Sequence, residues 1–154
     1  MYNIAKFRIQ LIKDSSFPSD TKTIGSPHDA AKLIEAYLAG ADRENLVVLL
    51  LNTKNTVIGI NTVSIGTLNQ ALVCGREVFK PAIVGNAAAI ILGHNHPSGN
   101  PIPSPDDIYL TKELVKAGRM LGIDVLDHII IGDGTRCYSM KERGDLDRRQ
   151  TNDN

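Results

Sequence analysis

The sequence predicts an α/β domain, a mixed β-sheet flanked by helices. Three observations carry that expectation. Two apolar runs, Leu46 to Leu51 and Ala87 to Leu92, lack alternation and have the length of strands covered on both faces. Stretches with helical spacing stand between and around them, so helices and strands alternate along the chain. At 154 residues and 42% hydrophobic content, the chain is long enough for one domain with a core and short for two.

Taken in order, Lys6, Arg8 and Gln10 alternate with Phe7, Ile9 and Leu11, the period of a half-buried strand, which predicts an outer strand over residues 4–12. Ser26-Pro27 offers a helix cap and a first-turn proline. Ala30, Leu33, Ile34, Tyr37 and Leu38 then give helical spacing, and Gly40 supplies a stop. Leu46 to Leu51 reads as a central strand, joined by the turn Asn52-Thr53-Lys54-Asn55 to a partner over Thr56 to Ile60. Val78, Phe79, Ala82 and Ile83 share one face of a second helix over Arg76 to Val84, in which Pro81 must sit early or introduce a kink. Ala87 to Leu92 is the next buried strand, and Gly93 to Pro103 is turn chemistry throughout.

Ser104-Pro105-Asp106-Asp107 opens a third helix that runs to about Leu121. A strand over Val125 to Ile131, a Gly132-Asp133-Gly134 turn and a short strand near Tyr138 complete a domain over residues 1–140. From Lys141 to Asn154 the chain is nearly all polar, with Leu146 its one large apolar residue, and reads as a frayed or disordered tail.

Composition removes several function classes. Lys plus Arg and Asp plus Glu both number 17, so there is no net field to attract a phosphate backbone. No apolar run approaches the roughly 20 residues of a membrane helix. The N-terminus lacks the basic start and unbroken apolar stretch of a secretory signal. Cys74 and Cys137 are far apart with no CxxC spacing, which predicts neither a disulfide framework nor a cysteine zinc site. Both thiols read as small core or surface residues, and a cytoplasmic location is expected.

Chemistry concentrates in the glycine- and proline-rich loop. His94 and His96 lie two apart at the end of a strand, and period-two geometry sends both imidazoles to one face. Asp107 falls in the first turn of the next helix, where the helix dipole favours its ionised form. Two histidines, an aspartate and a water make a tetrahedral zinc site with one open position, the arrangement of catalytic zinc. Each part also has a plain structural account: cap, proline and two acids are how a helix begins, and HxH also serves as a hydrogen-bonded loop pair. The combination is more specific than either part.

The other histidines read differently. His28 is an exposed side chain in a helix's first turn. Asp127 and His128, adjacent on a strand, face opposite sides, so they cannot both enter one site, and a core or ligand-supporting hydrogen bond fits them better than ligation. The HExxH helix and the deaminase H-x-E with PCxxC are absent.

His94-Asn95-His96, seven residues, Ser104, two residues and Asp107 match the HxHx7SxxD signature, and on that signature the chain resembles the JAB1/MPN (JAMM) metalloproteases. Gly75-Arg76-Glu77-Val78-Phe79, His94 to Pro101 and Asp127 to Gly132 narrow the likeness to the RadC-like branch, over about residues 42–139. The resemblance implies a JAB1/MPN-like, cytidine-deaminase-like α/β fold. It also implies one Zn2+ per chain on His94, His96 and Asp107, activating a water beside a glutamate from an upstream element. That glutamate is assigned to Glu44, because the family's catalytic acid precedes its first core strand, and it would serve as general base and then acid. Without the resemblance Glu44 reads rather as a solvated charge within Asp42-Arg43-Glu44, and Glu77 is a rival. By the same resemblance Ser104 stabilises an oxyanion, a duty compatible with capping, since a cap uses an oxygen lone pair and leaves the hydroxyl proton to donate.

The function expected is a zinc-dependent hydrolase acting on an amide or isopeptide bond of a peptide or protein substrate. Between Gly93 and Ile108 there is no Lys or Arg to clamp a phosphoryl group, which favours a carbonyl over a phosphodiester. One alternative is the DNA repair or DNA-processing association that the RadC-like resemblance implies. Zero net charge and few aromatics weigh against nucleic acid as a partner. RadC-like proteins also usually carry an N-terminal helix-hairpin-helix module, and here about forty residues precede the resemblance. The other alternative is a non-catalytic MPN scaffold, against which the intact motif weighs. Oligomeric state is left open, a homodimer included.

Overall fold

The computed structural model describes residues 1–66 and 75–146. Its helices are α1 (Pro27–Tyr37), α2 (Gly75–Val84) and α3 (Pro105–Leu121), and its strands are β1 (Asn45–Leu51), β2 (Val57–Ile65), β3 (Ala89–Asn95), β4 (Asp124–Ile131) and β5 (Cys137–Ser139). The strands form one mixed sheet in the order β2-β1-β3-β4-β5. β3 and β4 are parallel, with α3 in the connection between them, and the other neighbours are antiparallel. α1 packs against β3 and β4, while α2 and α3 pack on the opposite face with Leu46, Val48, Leu50, Ile90, Leu92 and Val125. β1 and β3 alternate side chains between these two cores, which is why their sequences are apolar without a break.

The helix starts follow their caps. The Ser26 side chain accepts from the Asp29 N–H with Pro27 at the first turn, and Ser104 and Asp107 form a reciprocal capping box. Gly122, at φ 71°, ends α3 in the left-handed conformation that glycine adopts without steric cost. Pro81 lies well inside α2, buried, and the helix continues through it to Val84. β3 extends past its apolar run to Asn95, because β1 and β4 pair with it on either side as far as His94 and Asn95. Gly93 allows this, since a Cβ there would meet the Ile34 side chain of α1. β2 runs five residues beyond the expected Ile60, and as an edge strand it accommodates the polar Asn61, Thr62 and Ser64.

Two expectations are corrected. Residues 4–12 form no strand: Ile4, Phe7, Ile9 and Ile12 are exposed, and the chain first joins the sheet at Lys22 to Ile24, beside Asn55 to Val57. Alternation equips a segment for one face of a sheet but supplies no edge to pair with. The second correction concerns the tail. Residues 141–146 form turns pinned to the body, with the Lys141 N–H on Asp127, the Asp145 carboxylate accepting from the Tyr138 hydroxyl at 2.7 Å, and Leu146 against the α2/α3 core. Residues 147–154, and Cys74, lie outside the described residues. Cys137 is an exposed free thiol.

Candidate metal centre

β3 delivers His94 on the α3 face of the sheet, fully buried, at the point where the apolar run ends. His96 follows just beyond the strand, its N–H bonded to the Ile131 carbonyl at the end of β4. The loop after it closes in a turn from the His96 carbonyl to the Gly99 N–H and is tied to the β4–β5 turn, where the Gly99 carbonyl accepts from the Asp133 N–H and the Arg136 guanidinium. Gly99, at φ 86°, lies against the Asp133 side chain, so this position favours glycine twice over. At the end of the loop the α3 cap presents Asp107.

These elements bring His94 Nε2, His96 Nε2 and Asp107 Oδ2 together. The two ring nitrogens are 2.9 Å apart, and Oδ2 lies 3.2 Å from His96 and 3.5 Å from His94. All three residues offer a ligand atom within 4.8 Å of the others, a grouping that could hold a metal ion. His96 Nδ1 is 2.8 Å from the Asn100 carbonyl, which only accepts, so the neutral ring carries its proton there and leaves a lone pair at Nε2. Burial raises the Asp107 carboxyl, but the His94 ring in its protonated form, with the Ser104 N–H and hydroxyl, outweighs it and holds the group well below the usual carboxylate range. An ionised oxygen therefore faces ring nitrogens of the type that ligates zinc, and this donor set fits a single divalent ion with borderline-soft preferences.

Ser104 plays its capping part as expected, its Oγ accepting from the Asp107 N–H at 3.1 Å while its own N–H donates to Oδ2 at 2.9 Å. Glu44 immediately precedes β1. Leu46 pairs with His94, so continuing the antiparallel register by two residues sets Glu44 across from His96. The Asn95 amide spans that step: its Oδ1 accepts from the Asn45 N–H at 2.8 Å and its Nδ2 donates to the Arg43 carbonyl at 3.0 Å. Both neighbours of Glu44 are thereby clamped by the residue between the two histidines, and the Glu44 carbonyl accepts from Gly66. Glu77 sits instead on the exposed first turn of α2, paired with Lys80 at 3.3 Å.

Two residues beside the site support it: His128, for which a ligand-supporting hydrogen bond is one of the two roles the sequence suggests, and Thr111, which the sequence reading does not single out. His128 is fully buried on β4, with Nε2 2.7 Å from His94 Nδ1 and Nδ1 2.6 Å from the Thr111 hydroxyl of α3. Asp127 turns the other way, to Ser139 and Lys141, so the two neighbours do diverge as strand residues must. Thr111 carried no signal in the sequence beyond its helical spacing of four from Asp107.

A RadC-like JAB domain model matches residues 24–145. The chain belongs to the RadC-like JAB domain family. It is 54% identical over 129 residues to a UPF0758 protein of Moorella thermoacetica, an alignment covering 84% of this chain and 56% of that protein. It is 53% identical over 121 residues to a UPF0758 protein of Roseiflexus castenholzii, covering 79% and 52%. The chain thus spans a little over half the length of the curated relatives it matches. The five-stranded mixed sheet with three helices is consistent with a JAB/MPN-like fold. Among the described residues, no helix is long and apolar enough to cross a membrane.

Proposed function

We propose that this RadC-like JAB domain is a zinc-dependent hydrolase that cleaves an amide or isopeptide bond of a peptide or protein. The observation that carries the proposal is the convergence of His94 Nε2, His96 Nε2 and Asp107 Oδ2 within 3.5 Å of one another. A bound zinc ion would supply Lewis-acid activation of water and of the scissile carbonyl. Glu44, clamped on both sides by Asn95, would take the proton of the attacking water and return it to the leaving amine. Ser104 has used its oxygen lone pair on the α3 cap, so its hydroxyl proton would donate to the single oxyanion that a carbonyl develops.

A cation bonded to the loop supports an amide over a phosphodiester. Arg136 spends its guanidinium on the Gly99 carbonyl and Asp133 rather than lending a clamp to phosphoryl oxygens. The test is chelator-sensitive cleavage by zinc-loaded protein, screened over a peptide and isopeptide library beside nucleic-acid substrates. Amide cleavage lost in His94→Ala supports the proposal. Nuclease activity lost in that variant, with no amide cleaved, replaces it with DNA processing.

A further inference from the structure

We propose that Thr111 and His128 are positioning residues that fix the tautomer of His94, keeping its proton on Nδ1 and its lone pair on Nε2. The inference rests on the metal-centre reading and deepens it. It follows from a proton count along one buried chain.

Thr111 Oγ1 lies 2.6 Å from the Asp107 carbonyl oxygen and 2.6 Å from His128 Nδ1. A carbonyl only accepts, so the single hydroxyl proton goes to it, one helical turn back along α3, and Oγ1 is left to accept. His128 Nδ1 must then donate. Its ring is fully buried, with a hydroxyl and a second imidazole as hydrogen-bond partners and no carboxylate on either nitrogen. A neutral ring with its proton on Nδ1 accepts at Nε2, so His94 Nδ1, 2.7 Å away, is the donor. His94 Nε2 therefore keeps a lone pair, directed at His96 Nε2 and Asp107 Oδ2.

Running the chain the other way would take the hydroxyl proton from the Asp107 carbonyl and place a proton on His94 Nε2, closing that position to a cation. Thr111 breaks the tie because it has an acceptor-only partner on one side. His96 reaches the same tautomer by a shorter route, through the Asn100 carbonyl. Asp107 is engaged twice, by its carboxylate in the site and by its carbonyl at the far end of the chain, so α3 couples a ligand to the alignment of another.

The experiment uses the full chain, zinc-loaded and 15N-labelled, with ring-proton positions assigned by long-range 1H–15N correlation and zinc affinity measured by chelator competition. Protons on Nδ1 of both His94 and His128 are expected, and a proton on Nε2 of His128 overturns the proposal. Thr111→Val should weaken zinc binding by about 10- to 100-fold, and Thr111→Ser, which keeps the hydroxyl, should restore most of it. Unchanged affinity in a folded Thr111→Val overturns the proposal while leaving the metal centre intact. If Thr111→Val does not fold, the wild-type ring-proton assignment and Thr111→Ser decide. A wild-type chain that takes up no zinc overturns the metal-centre reading itself, and this inference with it.

Discussion

Two buried polar clusters flank β4, and they differ in how their acceptors are met. Around Asp127 each carboxylate oxygen meets donors: Oδ1 accepts from the N–H groups of His128 at 2.7 Å and Lys141 at 3.0 Å, and Oδ2 accepts from the Ser139 hydroxyl at 2.6 Å. Around His94 the lone-pair atoms face one another, two ring nitrogens and a carboxylate oxygen within 3.5 Å. Buried polar groups are paired because an unpaired one costs free energy, so a cluster closed by donors is a joint in the fold. A cluster whose acceptors converge has the donor set to hold a cation. Neighbouring residues of β4 serve the two, Asp127 directly and the His94 cluster through His128, which shows that burial and charge alone do not mark a functional site.

The largest effect should fall on turnover. Glu44→Gln is nearly isosteric and should keep fold and metal while lowering amide hydrolysis at least about a hundredfold, the scale of a lost general base. Steady-state kinetics on any substrate the wild type cleaves would measure it, and unchanged turnover removes Glu44 from the role. The matched change in the other cluster is Asp127→Ala, which leaves three donors without their acceptor. It should cost about 1–3 kcal/mol in denaturant unfolding and leave zinc content per folded chain unchanged. A folded Asp127→Ala chain that loses its zinc would erase the distinction between the clusters.

Acidification separates them by sign. Burial holds His128 well below the ordinary imidazole range, so below about pH 6.5 the unfolded chain binds a proton that the folded chain does not. Stability of the metal-free protein should then fall with pH, by up to about 1.4 kcal/mol per unit. Asp107, held low, acts with the same sign at lower pH, where its stabilisation is lost as the carboxyl protonates. Asp127, raised by burial against the pull of its hydrogen bonds, acts oppositely: in the window above 3.8 the folded state holds the extra proton, so acidification there is stabilising. Urea unfolding across pH 4–7, with His128→Gln flattening the upper part of the slope, checks the assignment.

The smallest effect concerns the chain after β5. Removing residues 141–154 deletes the Lys141 N–H bond to Asp127, the Tyr138–Asp145 hydrogen bond and the packing of Leu146, and should lower stability by about 1–2 kcal/mol. A chain ending at Leu146 keeps all three contacts. Equal unfolding midpoints for the two truncations would show that the turn adds nothing to the Asp127 joint.

What the sequence revealed depended on whether local geometry was enough. His94, His96 and Asp107 could be read because period-two spacing and a helix start are local rules, and the structure follows both. The strand 4–12 could not, because alternation describes one chain and pairing requires a second. The face of His128 was hidden by a register irregularity: Ile90 pairs with Val125 but Ile91 with Asp127, so counting by twos from Val125 puts His128 on the wrong side. Thr111 acts through a bond to its own helix turn and one to a strand seventeen residues on, and neither leaves a pattern in the sequence. The tail looked free because it is mostly polar, and residues 141–146 are held by hydrogen bonds of polar groups together with the packing of the single apolar Leu146.

The measurement closest to the central claim is metal content. Protein stripped with chelator, loaded with zinc, desalted and analysed for elemental zinc should hold about one ion per chain, and Asp107→Ala handled alongside should hold almost none. A folded wild-type chain without zinc, or a folded Asp107→Ala chain with a full complement, would contradict the reading of this cluster as a metal centre.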